Sequence, residues 1–216
     1  MRIAIVFSGR IDKYREHYHN IMTNVVQNHE ADFFLSHSPE FAHEDLADFC
    51  QLYRPKTVNN GPIDYGDFSK YTCHPQSNSH NMMCMWFNRR RVYQDMCNYM
   101  KETGTTYDLV INTRLDTYND DPLNYHLFEC LDDNTVLVPE GYDWGGLNDQ
   151  MAIGRFPAMA KYLTLFDRIY EILDQLPPPY YGPEPALKKN MEMQGVEVYR
   201  FPFRYRLING KLWHHA

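Results

Sequence analysis

The chain lacks the sequence marks of zinc-binding, nucleic-acid-binding and membrane-spanning proteins. Its five cysteines show no CxxC spacing, which argues against a zinc site and is typical of free thiols in a reducing compartment. Acidic residues outnumber basic ones by 28 to 21, so the basic face that non-specific nucleic-acid binding requires is missing. No apolar run is long enough to span a membrane, and the first ten residues turn polar too soon for a signal peptide. We therefore expect a cytoplasmic globular protein without nucleic-acid partners.

Short apolar runs alternate with amphipathic segments along the whole chain. The predicted strands cover residues 3–7, 31–36, 56–58, 107–113, 134–140, 151–153, 196–200 and 203–208. The predicted helices cover residues 11–25, 41–53, 79–100, 156–176 and 183–194. This alternation predicts one α/β domain, a three-layer α/β/α sandwich with a mostly parallel central sheet, to which the last strands add an antiparallel element.

The segment YDLVINTRLDTYNDD, residues 107–121, joins a predicted strand to a charged edge. An apolar run, Leu109 to Ile111, is followed by Asn112, Arg114 and Asp116. Because strand side chains alternate with a period of two, Arg114 and Asp116 point the same way, at the end of a strand where open α/β sheets bind ligands. A carboxylate that holds a hard cation and an arginine that forks onto phosphate suit a metal-bridged phosphate site. A structural ion pair between the two side chains is an equally good interpretation.

Two other strand ends carry small polar residues. Ser8-Gly9-Arg10 follows the first strand and offers backbone N–H groups and a guanidinium to a phosphate. The segment lacks the glycine pattern of a dinucleotide fingerprint or a P-loop, so an ordinary βα turn is an equally good interpretation. Ser36 ends the second predicted strand in the same way.

The segment YDWGGLNDQMAIG, residues 142–154, combines flexible backbone with clustered polar side chains. Gly145 and Gly146 permit a close backbone approach or a positive φ. Asn148, Asp149 and Gln150 directly precede an apolar strand. Three polar side chains are costly in a core and cheap in a binding site, so we favour a functional site over a structural turn here.

The longest predicted helix carries polar residues whose role is less distinctive. Arg89, Arg90 and Arg91 are consecutive, so they point in different directions around the helix. We expect a solvated face and one salt bridge for them. His80, near the start of the helix, is expected to be structural rather than to bind a ligand.

Three segments together resemble nucleotide-sugar glycosyltransferases of the GT-A fold. They are IAIVFSGR (residues 3–10), YDLVINTRLD (107–116) and WGGLNDQMAIG (144–154). The resemblance is strongest to the small glycosyltransferase domains of large algal DNA viruses, the chloroviruses. It implies a single glycosyltransferase domain, with a nucleotide-binding half at about residues 1–120 and an acceptor-side half at about 121–216. The chain departs from the DxD motif of such enzymes, since Arg114 stands in place of the first aspartate.

The resemblance implies transfer of a hexose from a UDP-sugar to a hydroxyl of a glycan or glycoprotein, with Mn²⁺ or Mg²⁺ as cofactor. If the chain is viral, the product would be capsid glycan made in the host cytoplasm. The residues implied to bind the donor are Phe7, Ser8, Gly9, Arg10, Ser36, Asn112, Arg114 and Lys211. Those implied to bind the acceptor are Trp144, Gly145, Gly146 and Asn148.

The same resemblance assigns catalytic and metal-binding roles. Asp116 would hold the metal, completed by His214 or His215 near the end of the chain. Asp149 would be the base of an inverting enzyme, or would orient hydroxyl groups in a retaining one. The sequence carries no signal for an oligomeric state.

Two other classes of protein fit these residues. A nucleotide-sugar or phosphate-ester hydrolase would use the same metal site and release free sugar with every acceptor. A non-catalytic sugar- or nucleotide-binding module is favoured by the 17 tyrosines and 12 phenylalanines, and it would bind without turnover.

Overall fold

The computed structural model of the chain describes residues 1–11, 13–38, 43–71, 78–177 and 181–207. The strands in this part are β1 Arg2–Gly9, β2 Glu30–His37, β3 Thr57–Asn59, β4 Leu109–Thr113, β5 Thr117–Asn119, β6 Thr135–Pro139, β7 Ala152–Gly154, β8 Glu197–Phe201 and β9 Tyr205–Leu207. The α-helices are α1 Tyr14–Ile21, α2 His43–Tyr53, α3 Ser79–Thr103, α4 Phe156–Leu163, α5 Ile169–Asp174 and α6 Pro183–Met193. A π-helical segment, Met22–Val26, continues α1, and 3-10 turns cover Tyr125–Phe128 and Leu165–Arg168.

Seven of these strands form one sheet in the order β3-β2-β1-β4-β7-β6-β8. Strands β3, β2, β1 and β4 are parallel, β7 is antiparallel to both β4 and β6, and β8 is parallel to β6. The prediction of a mostly parallel sheet with an antiparallel element is confirmed. Its position differs from the prediction, because the reversed strand of the main sheet is β7 and not one of the last two. Strand β9 is antiparallel, but it pairs with β5 in a separate two-stranded sheet.

Helices cover both faces of the main sheet. Strand β1 is buried on both sides, which explains why its sequence is a continuous apolar run. Ile3 and Ile5 pack into a core shared with Phe49 of α2, whereas Val6 packs into the opposite core with Trp86 of α3. The predicted three-layer α/β/α architecture is therefore confirmed. Within the described ranges, no helix combines the length and the apolar character needed to cross a membrane.

The single helix predicted for residues 156–176 is in fact interrupted. Helix α4 ends at Leu163, and Thr164 leaves the helical region with φ −94° and ψ 15°. The Thr164 hydroxyl donates to the carbonyl of Ala160 at 2.8 Å, within the last turn of α4. Apolar residues continue at helical spacing through the 3-10 turn and α5, so the sequence pattern does not reveal the break.

The loop between β6 and β7 packs directly on the first turn of α6. A Cβ atom at Gly146 would lie 2.0 Å from the backbone carbon and oxygen of Glu184. The next residue, Leu147, donates its N–H to that same carbonyl at 3.1 Å. Gly145 serves a different purpose, because it has a φ of +84° and an open space where a Cβ would stand. The two glycines thus provide a close approach and a turn, respectively.

This contact predicts unequal costs for two neighbouring substitutions. Gly146→Ala is expected to lower the free energy of unfolding by about 3 kcal/mol or more, since a clash with backbone atoms cannot be relieved by a rotamer change. Gly145→Ala is expected to cost only about 1 kcal/mol, for its positive φ. Urea unfolding followed by circular dichroism measures both, and equal losses would contradict the close approach.

Candidate functional site

Strand direction brings separate segments of the chain to one edge of the sheet. Strands β1, β2 and β4 are parallel, so their carboxyl ends share that edge. Strand β7 runs in the opposite direction, and its register pairs Asn112 with Ala152. The residues before β7 therefore reach the edge that the residues after β4 also reach. Asp149 and Asp116 consequently line the same cleft.

The cleft at this edge has a volume of about 480 Å³, which is in the range of small-molecule sites. The charged residues on its wall are Arg10, Arg89, Arg114, Asp116, Asp149 and Glu184. The remaining described residues that line it are Ser8, Gly9, Ser38, Asn78, His80, Asn81, Met82, Cys84, Met85, Leu115, Gln150, Pro183 and Leu207. Equal numbers of cationic and acidic side chains suit a ligand that has both charged and hydroxyl groups.

Six of the residues proposed from the sequence line this cleft. They are Ser8, Gly9, Arg10, Arg114, Asp116 and Asp149. The two halves of the sequence prediction, one around β1 and β4 and one before β7, are thus brought together. Lys211, His214 and the alternative His215 lie outside the described residues.

Three residues proposed to bind the donor do not line the cleft. Phe7 is buried and stacks on Phe33, with ring centroids 5.9 Å apart, because odd-numbered positions of β1 face the core beneath α1 and α2. The Ser36 hydroxyl accepts from Nε of Arg91 at 3.0 Å, in a polar contact between β2 and α3. Asn112 is buried in β4. Their place on strands was predicted, but all three are buried and none is among the residues that line the cleft.

The residues proposed to bind the acceptor also lie away from the cleft wall. Trp144 is 59% exposed, and Gly145 and Gly146 shape the loop as described above. Asn148 is fully buried and donates to the carbonyl of Gly141 at 2.9 Å and to the hydroxyl of Tyr205 at 2.8 Å. Its side chain therefore fixes the loop that presents Asp149, rather than contacting a ligand.

Arg114 and Asp116 form a bidentate ion pair at the cleft. Nε donates to Oδ1 at 2.7 Å and Nη2 donates to Oδ2 at 2.6 Å. Burial alone would raise the pKa of Asp116, but the hydrogen bonds and charge of Arg114 outweigh it and lower that pKa. Buried His17 lies close enough to feel the Asp116 charge, yet desolvation lowers the pKa of this imidazole to about 4. The pair is therefore ionised at neutral pH beside a neutral histidine.

Arg89 is buried beside Asp149, contrary to the solvated face predicted for the three arginines. It is 1% exposed, and its Nη2 donates to the backbone carbonyl of Asp149 at 2.5 Å and lies 3.5 Å from the carboxylate Oδ2. Trp86 stacks against its guanidinium at 4.4 Å. Arg91 is buried as well, and only Arg90 behaves as predicted, in a half-exposed salt bridge with Asp167.

Glu184 is a wall residue that the sequence prediction missed. It lies in the first turn of α6, between two prolines, and faces the same cleft as Asp149. Desolvation, and secondly the negative charge of Asp149, raise the pKa of Glu184 to about 7, with Arg89 opposing the shift and Asp143 adding to it. A carboxyl group that titrates near neutral pH is well suited to accept or donate a proton.

His80, expected to be structural, also lines the cleft and lies 3.5 Å from Sγ of Cys84.

The burial of Arg89 predicts a large and specific loss of stability. Arg89→Met is expected to lower the free energy of unfolding by about 3–5 kcal/mol, because it leaves the Asp149 carboxylate buried without a cation. Arg90→Met, one position along the same helix, is expected to cost less than about 1 kcal/mol. Chemical unfolding of both variants tests this, and a similar loss in each would contradict the different environments of the two arginines.

The titration of Glu184 predicts a pH-dependent stability. The unfolded side chain loses its proton near pH 4.5 and the folded one near pH 7, so the folded state binds more protons and becomes less stable as pH rises between these values. Glu184→Gln is expected to remove this loss, and so to gain on the order of 1–2 kcal/mol relative to the parent at pH 8.

Thermal and urea unfolding between pH 4 and pH 8 measure the difference between the two proteins. Glu192→Gln, on the exposed part of the same helix, is the matched control and is expected to follow the parent curve. Parallel curves for Glu184→Gln and the parent would contradict the raised pKa.

Comparison with known folds gives two similar enzymes. The galactosyltransferase LgtC, solved in complex with donor and acceptor sugar analogs, has a TM-score of 0.52 at 16% identity, covering 93% of this chain and 73% of LgtC. An active-site mutant of LgtC gives a TM-score of 0.53 at 16% identity, with 93% and 72% covered. The apo-form glycosyltransferase GlyE of Streptococcus pneumoniae TIGR4 gives 0.49 at 12% identity, covering 91% of this chain and 44% of GlyE. The present chain thus spans less than half the length of GlyE.

Comparison with protein families places the sequence in one group. No curated protein sequence matches the chain significantly. The model of the family DUF7796, described as a domain of unknown function, matches residues 1–212. The chain therefore belongs to the DUF7796 family, and its three-layer structure is a GT-A-like fold.

Proposed function

We propose that the chain is a glycosyltransferase that moves a sugar from a nucleotide-sugar donor to a hydroxyl group of a glycan. The observation that carries this proposal is that the Arg114–Asp116 pair and the carboxyl groups of Asp149 and Glu184 line the same cleft at the carboxyl edge of the sheet. The GT-A-like fold supports it, since LgtC has been solved with donor and acceptor sugar analogs.

The wall formed after β1 and β4 suits the diphosphate of the donor. The end of β1, at Ser8 and Gly9, borders the cleft together with two guanidinium groups, those of Arg10 and Arg114. Guanidinium groups bind phosphate oxygens through paired, charge-assisted hydrogen bonds. A UDP-hexose is the donor that the sequence resemblance implies, and we retain it as the first donor to test.

The wall formed by the residues before β7 and by α6 suits the acceptor. In the transfer step, the bond between the anomeric carbon and the diphosphate oxygen breaks, and its electron pair stays with the diphosphate. The acceptor oxygen bonds to the anomeric carbon, and its proton passes to one carboxylate oxygen of Asp149, with Glu184 on the same wall. Desolvation, and secondly the charge of Asp149, raise the pKa of Glu184 to about 7, so this carboxyl group is suited to exchange a proton beside Asp149.

The Mn²⁺ or Mg²⁺ requirement implied by the resemblance stays a prediction. Its proposed ligands are Asp116, whose two oxygens are held by Arg114, and His214, which lies outside the described residues. The resemblance to chlorovirus domains and a role in capsid glycans likewise stay predictions.

The acceptor-side assignment predicts a selective loss of catalysis. Asp149→Asn is expected to lower kcat by roughly 100-fold or more, as is usual when a proton-transfer group is removed. The dissociation constant for UDP is expected to change less than about threefold, because the proposed role of Asp149 is at the acceptor and not at the diphosphate. Asp167→Asn, on the surface of the protein, is the control with unchanged turnover.

Initial rates with UDP-glucose and UDP-galactose and a mixed panel of glycan acceptors measure kcat, while calorimetry measures UDP binding. Release of free sugar with every acceptor would favour the hydrolase. Nucleotide binding without any turnover would favour the binding module.

A further inference from the structure

The described donor groups at Asp116 do not fit a divalent cation. Mg²⁺ and Mn²⁺ are held by several oxygen ligands, usually carboxylates together with phosphate and water. Within the described residues, no group of three His, Cys, Asp or Glu side chains converges to hold a metal ion. Both oxygens of Asp116 accept hydrogen bonds from Arg114, which also brings a positive charge to the place where a cation would have to bind. Like charges at this distance repel, so the pair disfavours a second cation.

Arg114 retains binding capacity after it has paired with Asp116. The pair uses the N–H of Nε and one N–H of Nη2, which leaves both N–H groups of Nη1 and the second of Nη2 for a ligand. The side chain of Arg114 is 38% exposed, and it lines the cleft. The hydrogen bonds and charge of Asp116 outweigh desolvation and raise the pKa of Arg114. The guanidinium is therefore charged, fixed on one side and open to the cleft on the other.

We propose that Arg114 takes the role usually given to a metal ion, binding the diphosphate of the donor and stabilising it as the leaving group. This inference rests on the glycosyl transfer proposed above. When the anomeric carbon–oxygen bond breaks, negative charge builds on the diphosphate oxygen, and the N–H groups of Arg114 receive it as hydrogen-bond donors. Asp116 is then a positioning residue that orients the guanidinium. Arg10, on the same wall, adds a second positive charge.

Two substitutions distinguish binding of the diphosphate by Arg114 from binding by a metal ion, because the two hypotheses predict opposite effects on the dissociation constant. If a metal on Asp116 held the diphosphate, Asp116→Asn would abolish binding of a nucleoside diphosphate. If Arg114 holds it, Asp116→Asn keeps the cation and is expected to change the dissociation constant less than about fivefold, whereas Arg114→Gln is expected to weaken binding by roughly 10- to 100-fold. Arg114→Lys keeps the charge without the fork, and an intermediate loss is expected.

The chain offers a matched control away from the cleft. Arg204 and Asp121 form a bidentate pair of the same kind, at 2.7 and 2.9 Å, on an exposed surface. Arg204→Gln is therefore expected to leave nucleotide binding unchanged. Circular dichroism and thermal unfolding establish that each variant is folded before its binding is compared.

The experiment is calorimetric titration of the full chain and these variants with UDP, GDP and ADP, once in EDTA and once in Mn²⁺. Equal binding in both buffers, lost in Arg114→Gln and kept in Asp116→Asn, is the expected result. Binding that needs Mn²⁺, or that disappears in Asp116→Asn, would overturn the role of Arg114 while leaving the proposed transferase in place. If the folded parent binds none of the three nucleotides in either buffer, the proposed function fails together with this inference.

Discussion

The reversed direction of β7 is the constraint on which the candidate site depends. This strand lies between β4 and β6 and is antiparallel to both. An antiparallel strand enters a sheet at the edge where its neighbours leave it, so the loop before β7 delivers Asp149 to the edge where β4 delivers Arg114 and Asp116. A parallel strand in the same position would have placed Asp149 at the far edge. The same loop packs on the start of α6 through Gly146, which adds Glu184 to the wall.

The sequence predicted most of the elements and a mostly parallel sheet with an antiparallel element, but it did not predict which strand is reversed. Strands buried on both faces appear as continuous apolar runs, so β1, β2 and β4 were evident. The direction of a strand depends on its neighbours, and β7 has only three residues, too few to show a preference. Strand β5 was missed because Thr117–Asn119 is polar and forms a strand only by pairing with β9, far along the chain. The interrupted helix was missed because 3-10 and α-helical turns bury apolar residues at similar spacings.

In the candidate site too, local sequence patterns reveal some residues, whereas other features depend on tertiary packing. Polar residues directly after an apolar run identified Arg114, and polar residues directly before one identified Asp149. The burial of a side chain in the fold leaves no comparable signal in the neighbouring sequence. Arg89 and Arg90 are neighbours, yet a helical step of about 100° buries the first beside Asp149 and leaves the second at the surface. The acidic residue between two prolines at the start of α6 carried a weak signal, since a glutamate in a first turn is common for reasons of helix stability.

A fixed guanidinium and an exchangeable metal ion can both stabilise the negative charge of a leaving diphosphate, but they differ in charge and in how they are held. Arg114 is charged at every physiological pH and needs no supply of metal, and its pairing with Asp116 fixes its direction before a ligand arrives. It brings one positive charge where a divalent ion brings two, and Asp116 already balances that charge. A leaving diphosphate therefore requires a second cation nearby. Arg89 is committed to Asp149, whereas Arg10, directly after β1, lines the cleft together with Arg114. Under the proposed function, the segment that sequence alone left open between a phosphate site and an ordinary connection is where this second charge is expected.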